Sequence, residues 1–319
     1  MSVCRGDITY VAATSRHRGM ITVEQQDLLR TKRVAVAGAG GIGGPAALLC
    51  AKAGFGGITI CDFDAYEVVN IVEQEFANYE TVGRRKVEVA ATEIRKHGHG
   101  CEVRELNRKI ETTEDAMALM EGADYVFSAV DNGRAKILVD RAAQRVGVPI
   151  FLAANLGWTV LHLAYLPGQF RYEHIYERIC PGLPGLAELS GEAVAFIELH
   201  HKVYFACVGG FSEAYLRGLL TGREDHLRYM APQAYTAASL GVNELIKHAT
   251  GRGPIVVAPR YFAFDTLSGT VADLESMGPP ITAITHAAYR GNLDEACEVF
   301  RRAFPGRAGC RADGSPQVP

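Results

Sequence analysis

The sequence predicts an α/β fold: a Rossmann-like, doubly wound and mainly parallel sheet, with added antiparallel strands and a crossover excursion. Three observations predict it. Short apolar runs alternate with helix-length segments across residues 33–154. A glycine-rich turn, Gly38-Ala39-Gly40-Gly41-Ile42-Gly43, follows the first run, and the second run closes on two acids, Asp62 and Asp64. Alternation of this kind covers both faces of a parallel sheet with helices.

Residues 33–38 (RVAVAG) are β-branched and alanine-rich, the pattern of a buried strand. A helix follows, with Ala, Leu and Cys at helical spacing until Gly54 and Gly56 stop it. GITICDFD (57–64) is the second strand. Residues 84–97 form a helix ending on Arg95, Lys96 and His97, cations suited to the dipole of a last turn. CEVREL (101–106) and ADYVFSAV (123–130) supply strands three and four, and a helix over 134–147 leads to strand five at 148–154. A further strand spans 159–168. Residues 169–229 are the excursion, where ICPGLPG at 179–185 breaks regular structure. A helix over 230–251 carries small residues on one face (Ala231, Ala234, Ala237, Ala238, Gly241), suited to close packing on the sheet or a partner. A hairpin over 260–274 turns at Ser268 and Gly269, one amphipathic helix covers 286–304, and the end reads as a disordered tail. The division expected is an arm at 1–32, a main domain at 33–275 and a C-terminal helix and tail at 276–319.

With 319 residues, 48% of them hydrophobic, the chain is long enough for one large core or at most two smaller ones. A net charge of −3 and no long Lys/Arg run imply no nucleic-acid partner. No apolar stretch approaches the ~20 residues that span a bilayer, and MSVCRGDITY has no secretory apolar core. A cytoplasmic protein without a membrane partner is expected. The cysteines, at 4, 50, 61, 101, 180, 207, 297 and 310, form no C-x-x-C pair, so free thiols and no zinc are expected. The run from His97 to Cys101 (H-x-H-x-C) reads as a helix end and turn.

Gly38, Gly40 and Gly43 match G-x-G-x-x-G between a strand and a helix, where glycine lets the backbone approach phosphate and the helix N-terminus offers N–H donors. Asp62 lies 19 residues beyond Gly43, placed to bind ribose hydroxyls. These features identify a nucleotide site without saying which nucleotide, and an NAD(P)-dependent oxidoreductase would begin the same way.

Four blocks in order, GAGGIGG (38–44), CDFDAYEVVNIVEQ (61–74), ETVGRRKVEVA (80–90) and FSAVDN (127–132), resemble the ThiF/MoeB/E1 superfamily, which activates ubiquitin-like proteins and sulfur carriers. The segment 15–29 is similar to that family's N-terminal arm, and 230–251 with RYFAFDTLSG to its closing helix and strand, so the resemblance covers about residues 15–275. It implies ATP- and Mg²⁺-dependent adenylation of a carboxylate, borne by a peptide or protein C-terminus or a small acid. The acyl-adenylate then passes to a nucleophile. Lys86 and Asp131 match positions the family requires: a phosphate-facing cation and a Mg²⁺ ligand. Asp62, Asp64, Asn70, Gln74, Asn132 and the glycines (Gly38, Gly40, Gly41, Gly43) make up the nucleotide side. A homodimer is implied, with Arg16 reaching across it. Cys180, in the excursion, is the candidate thioester cysteine, whereas Cys207 in its apolar surroundings reads as core.

The residues support that chemistry, because adenylation needs charge neutralisation and positioning more than covalent help. One departure stands out. Where the family carries an arginine on the phosphates, this chain has Glu73. A like-charge pair at about 4 Å costs roughly 1 kcal/mol in water and about 4 kcal/mol at an effective dielectric of 20. Glu73 must therefore turn away or meet a cation such as Arg84, Arg85, Arg16 or Arg18. It also keeps open a catalytically reduced, E1-like scaffold subunit.

Overall fold

The computed structural model describes residues 9–224 and 227–307. An N-terminal arm, α1 (Tyr10–Ala13) and α2 (Val23–Thr31), precedes an alternating series: β1 (Arg33–Ala37), α3 (Gly43–Ala53), β2 (Gly57–Asp62), α4 (Lys86–His97), β3 (Glu102–Asn107), α5 (Thr113–Leu119), β4 (Tyr125–Ser128), α6 (Gly133–Val146) and β5 (Ile150–Leu156). After β6 (Thr159–Tyr165) come α7 (His174–Ile179), α8 (Gly191–Val208), α9 (Glu213–Thr221) and α10 (Ala231–Thr250). Then follow β7 (Phe262–Asp265), β8 (Thr270–Val271), α11 (Gly278–Tyr289) and α12 (Leu293–Ala303).

The eight strands form one sheet in the order β3-β2-β1-β4-β5-β6-β7-β8. Pairs from β3 to β5 are parallel, and β6, β7 and β8 add antiparallel. The chain winds outward from β1 to β3 and then returns to β4 on the other side of β1. That reversal opens a crevice beyond the C-terminal ends of β1 and β4, where doubly wound sheets bind ligands.

Alternation along each strand divides the core. Val34 and Val36 of β1 face α3, α4 and α10, while Ala35 and Ala37 face the opposite layer with α5, α6 and α8. The small-residue face of α10 packs on the sheet: Ala237 and Ala238 are fully buried, and a Cβ added to Gly241 would meet the Phe127 ring at 2.9 Å. The arm is fastened down by Gln25 Nε2 donating to the Thr250 carbonyl at 2.7 Å and Tyr10 Oη donating to the Gly54 carbonyl at 2.8 Å.

Three segments differ from the sequence expectation. The excursion is helical on both sides of the break at 179–185, with α7 before it and, after it, α8 and α9 started by the caps Ser190 and Ser212. Helix α5, unforeseen, starts at a capping box of Thr112 and Asp115. The single helix expected over 286–304 is two, α11 and α12, parted at Gly291 with φ +78°. Both pack against the excursion helices and bury Ile281, Ile284 and Phe300 in the main core. Six described cysteines are free thiols, and no metal-binding cluster of His, Cys, Asp and Glu occurs among the described residues. Cys4, Cys310 and the tail beyond residue 307 lie outside the described residues.

Candidate functional site

A cleft of about 460 Å³ opens at the crevice, lined by Gly38, Gly40, Gly41, Asp62, Asp64, Gln74, Lys86, Asp131 and Asn132 of the residues singled out from sequence. The glycine turn shapes its floor. Gly38 has φ +97°, and a Cβ there would stand 2.7 Å from the Ala129 carbonyl oxygen. Gly43 lines no part of the cleft but closes the turn, since a Cβ there would lie 1.9 Å from the Gly38 oxygen.

Asp62 braces the turn from β2. Its Oδ2 accepts from the Ala39 N–H at 2.8 Å and its Oδ1 from the Asp64 N–H at 2.9 Å. Burial raises the Asp62 carboxyl above its usual range, opposed by those two donors and by Lys86. Lys86 opens α4; its N–H donates to the Asp64 carbonyl, and its ammonium stands 3.4 Å from Asp64 Oδ2 with only 10% of the side chain exposed. Asn132 caps α6, its Oδ1 accepting from the Ala135 N–H at 2.7 Å. That leaves Asp131, one residue earlier and exposed, outside the cap.

Glu73 is buried against the same turn. Its Oε1 accepts from Gln74 Nε2 at 2.8 Å and Asn70 Nδ2 at 3.3 Å, and its Oε2 has no hydrogen-bond partner. A Cβ added to Gly41 would come within 2.6 Å of that oxygen. Burial raises the Glu73 carboxyl, and the amides of Gln74 and Asn70, the Tyr229 hydroxyl and the Lys86 charge all oppose the rise. Lys86 is the cation whose charge reaches Glu73, with no ion pair between the two among the described residues. Arg85 is occupied with the Phe63 carbonyl, and Arg84, Arg16 and Arg18 are exposed away from the cleft lining.

The remaining candidates lie elsewhere. Asn70 sits behind Glu73 in a short 3-10 helix (Val68–Val72), and Arg16 in another at Ser15–His17. Cys180 caps the end of α7, outside the cleft lining, with its thiol raised by burial. Cys207 is core, as read.

The far flank of the cleft, beyond β4, was not foreseen. Lys136 of α6, Asn155 of β5, and Glu198 and His201 of α8 line it, with Val194, Leu156 and Phe205. The Lys136 ammonium lies 3.1 Å from His201 Nε2. Burial pulls Lys136 down to about 8 against Asp131 and Glu198, and burial holds His201 well below its ordinary value, so the imidazole is neutral and accepts from the ammonium. The signal for these residues depended on α8, which is apolar nearly all round and so has no helical stripe to read.

Comparison with known proteins bears on the family and the fold. The chain is 35% identical over 136 residues to "Adenylyltransferase and sulfurtransferase MOCS3" of Anopheles gambiae, covering 43% of this chain and 31% of that protein. It is 28% identical over 145 residues to "Sulfur carrier protein ThiS adenylyltransferase" of Bacillus subtilis, covering 45% and 43%. The chain thus spans about a third of the length of the first curated relatives it matches. Among solved structures, E. coli MccB with ATP superimposes with a TM-score of 0.58 at 21% identity, over 78% of this chain and 65% of that one. PaaA does so at 0.58 and 15%, over 82% and 68%; both likenesses concern the fold. The ThiF family model matches residues 14–280, most of the chain, and the protein belongs to the ThiF family.

Proposed function

We propose that the chain is an E1-like adenylyltransferase that uses ATP and Mg²⁺ to convert a carboxylate into its acyl-adenylate for transfer to a nucleophile. The observation that carries this is the meeting of four groups in one crevice: the glycine turn, Asp62, Lys86 and Asp131. The turn fits a phosphate chain, because backbone takes the place of side chains along its floor. Asp62 and Asp64 stand where ribose hydroxyls would be held. The half-ion-paired Lys86 ammonium has donors left for phosphate oxygens.

Asp131 fits Mg²⁺ as a lone exposed carboxylate, since that ion accepts one or two protein oxygens and completes its shell with phosphates and water. Bound there, Mg²⁺ would supply charge neutralisation for the departing pyrophosphate. In the reaction a carboxylate oxygen attacks the α-phosphorus and the bond to the bridging oxygen breaks. Lys86 offsets the charge that develops, and the closed glycine turn fixes the line of attack.

Arg16 acts in this proposal from a second copy in a homodimer, which its exposed position on the arm favours. The substrate acid belongs to a peptide, a carrier protein or a small molecule. The free thiols accord with a reducing, cytoplasmic setting. Glu73, buried against Gly41 with an unpartnered oxygen, favours a second reading, a scaffold subunit with reduced catalysis. Pyrophosphate exchange into ATP, assayed with a panel of peptides and small acids, separates the two. Acid-dependent exchange supports the adenylyltransferase. Nucleotide binding with no exchange across the panel supports the scaffold.

A further inference from the structure

The far flank of the cleft carries more polar capacity than the fold uses. An ammonium has three donors, and one hydrogen bond from Lys136 is seen, to neutral His201. Among the described residues no carboxylate stands within ion-pair distance of Lys136. Asn155, across the cleft on β5, has a buried Nδ2 without a hydrogen-bond partner. Both belong to the one cleft that also holds Asp131. Lys136 and Asn155 are each half-buried, and a cation with spare donors beside an amide nitrogen that is itself buried without an acceptor is costly in a folded protein unless a ligand completes them.

The sheet order fixes where that ligand would sit. Asp62 and Lys86 lie on the β2 flank, the glycine turn and Asp131 at the β1–β4 crevice, and Lys136 and Asn155 on the β5 flank. With a nucleotide on the first two, the third adjoins its reacting end. Glu198 on this flank accepts from the Arg134 N–H at 3.2 Å, and the polar groups left without partners are donors, the spare N–H groups of Lys136 and the Asn155 Nδ2, so an anion with two acceptor oxygens suits them. Beside them Leu156, Val194 and Phe205 give an apolar wall. His201 points the ammonium: as a neutral acceptor it takes one N–H and leaves the others for the cleft.

We infer that Lys136 and Asn155, with His201 as a positioning residue, form the subsite for the acid to be activated, and that this acid carries its carboxylate beside an apolar side chain. The inference rests on the adenylyltransferase proposal for its chemistry but concerns binding alone. The same chemistry could come from a free branched acid or from the last residue of a peptide.

The test uses the full chain loaded with Mg²⁺ and α,β-methylene-ATP, which cannot be cleaved at the reacting bond. Isovalerate and acetate, each ¹³C-labelled at the carboxyl, are titrated in and followed by NMR, beside a tetrapeptide ending in valine. Isovalerate, with three more carbons than acetate to bury against that wall, is expected to bind at least about tenfold more tightly. Lys136→Met is expected to weaken isovalerate about tenfold or more, with Lys136→Arg recovering part of the loss. Asn155→Leu is the independent variant should Lys136→Met fail to fold, and it is expected to weaken isovalerate severalfold. The inference is overturned if isovalerate binds no better than acetate, or as well to both variants as to the wild type. A peptide that outcompetes isovalerate identifies the source as peptidyl, and the reverse identifies a free acid; either supports the subsite. If the nucleotide analogue itself does not bind, the adenylyltransferase proposal fails. The isovalerate titration on unloaded protein then still decides the subsite.

Discussion

Glu73 is where single-residue physics conflicts most with the proposed chemistry. Its carboxylate is tucked beneath Gly41, and its unpartnered Oε2 faces the turn that would hold a polyanion. Glu73→Gln removes that charge and keeps the acceptor for Gln74 and Asn70. ATP is expected to bind about fivefold more tightly, corresponding to about 1 kcal/mol of relieved repulsion; calorimetry checks it, and weaker binding would show Glu73 to be a working part of the site. Asp140 is a second strained acid. Its Oδ1 is buried without a partner, its Oδ2 accepts from the Tyr172 N–H, and burial pushes its carboxyl up to about 7. A raised acid stabilises the fold when protonated, in full below its unfolded value near 4, and that contribution is lost as pH rises to about 7. In urea melts, the stability of Asp140→Asn relative to wild type should therefore climb between about pH 4 and 7 and level off above. A flat difference would mean Asp140 ionises freely. At this scale Asp62, Lys86 and Asp131 were legible because each sits at the end of an element in a recognisable block. Lys136, Asn155 and His201 were not, because no motif surrounds them and their importance arises only when three elements meet.

Among the elements, the turn from β1 into α3 has the least freedom. A methyl group on Gly43 collides with backbone, the Gly38 oxygen at 1.9 Å, and has no flexible side chain to push aside. Gly43→Ala should open the turn and abolish measurable nucleotide binding while circular dichroism still reports a folded α/β protein. Retained nucleotide affinity would show that the turn is not the phosphate cradle. The strands β1, β2, β4 and β5 were readable as apolar runs because both their faces are covered. Helix α8 was not, because its few polar residues, Glu192, Glu198, His200, His201 and Lys202, do not gather on one face of an otherwise apolar helix. The break between α11 and α12 was missed for a local reason, a lone Gly291 inside a pattern whose apolar spacing continues across it.

The whole molecule is organised by the reversal of strand order around β1, which brings residues from α4, β2, β4, α6 and α8 to one crevice. That gathering was partly legible, since the blocks share an order, but the helical cover over the β5 flank was not. The proposed homodimer has a specific consequence. Arg16→Ala and Lys86→Ala should each be inactive alone. If Arg16 serves the partner's cleft, subunit mixing should restore about a quarter of the sites, because half the dimers are mixed and each of those holds one intact pair. No recovery in pyrophosphate exchange would show that Arg16 does not serve the partner's cleft. The proposed chemistry requires a magnesium-assisted triphosphate in the β1–β4 crevice. Calorimetry of the purified chain with Mg²⁺ tests this most directly, by titrating ATP and NAD in parallel into wild type and Lys86→Ala. ATP is expected to bind the wild type, its affinity to fall at least about tenfold in the variant, and NAD to give no heat; uptake of NAD with indifference to ATP would rule out a triphosphate site.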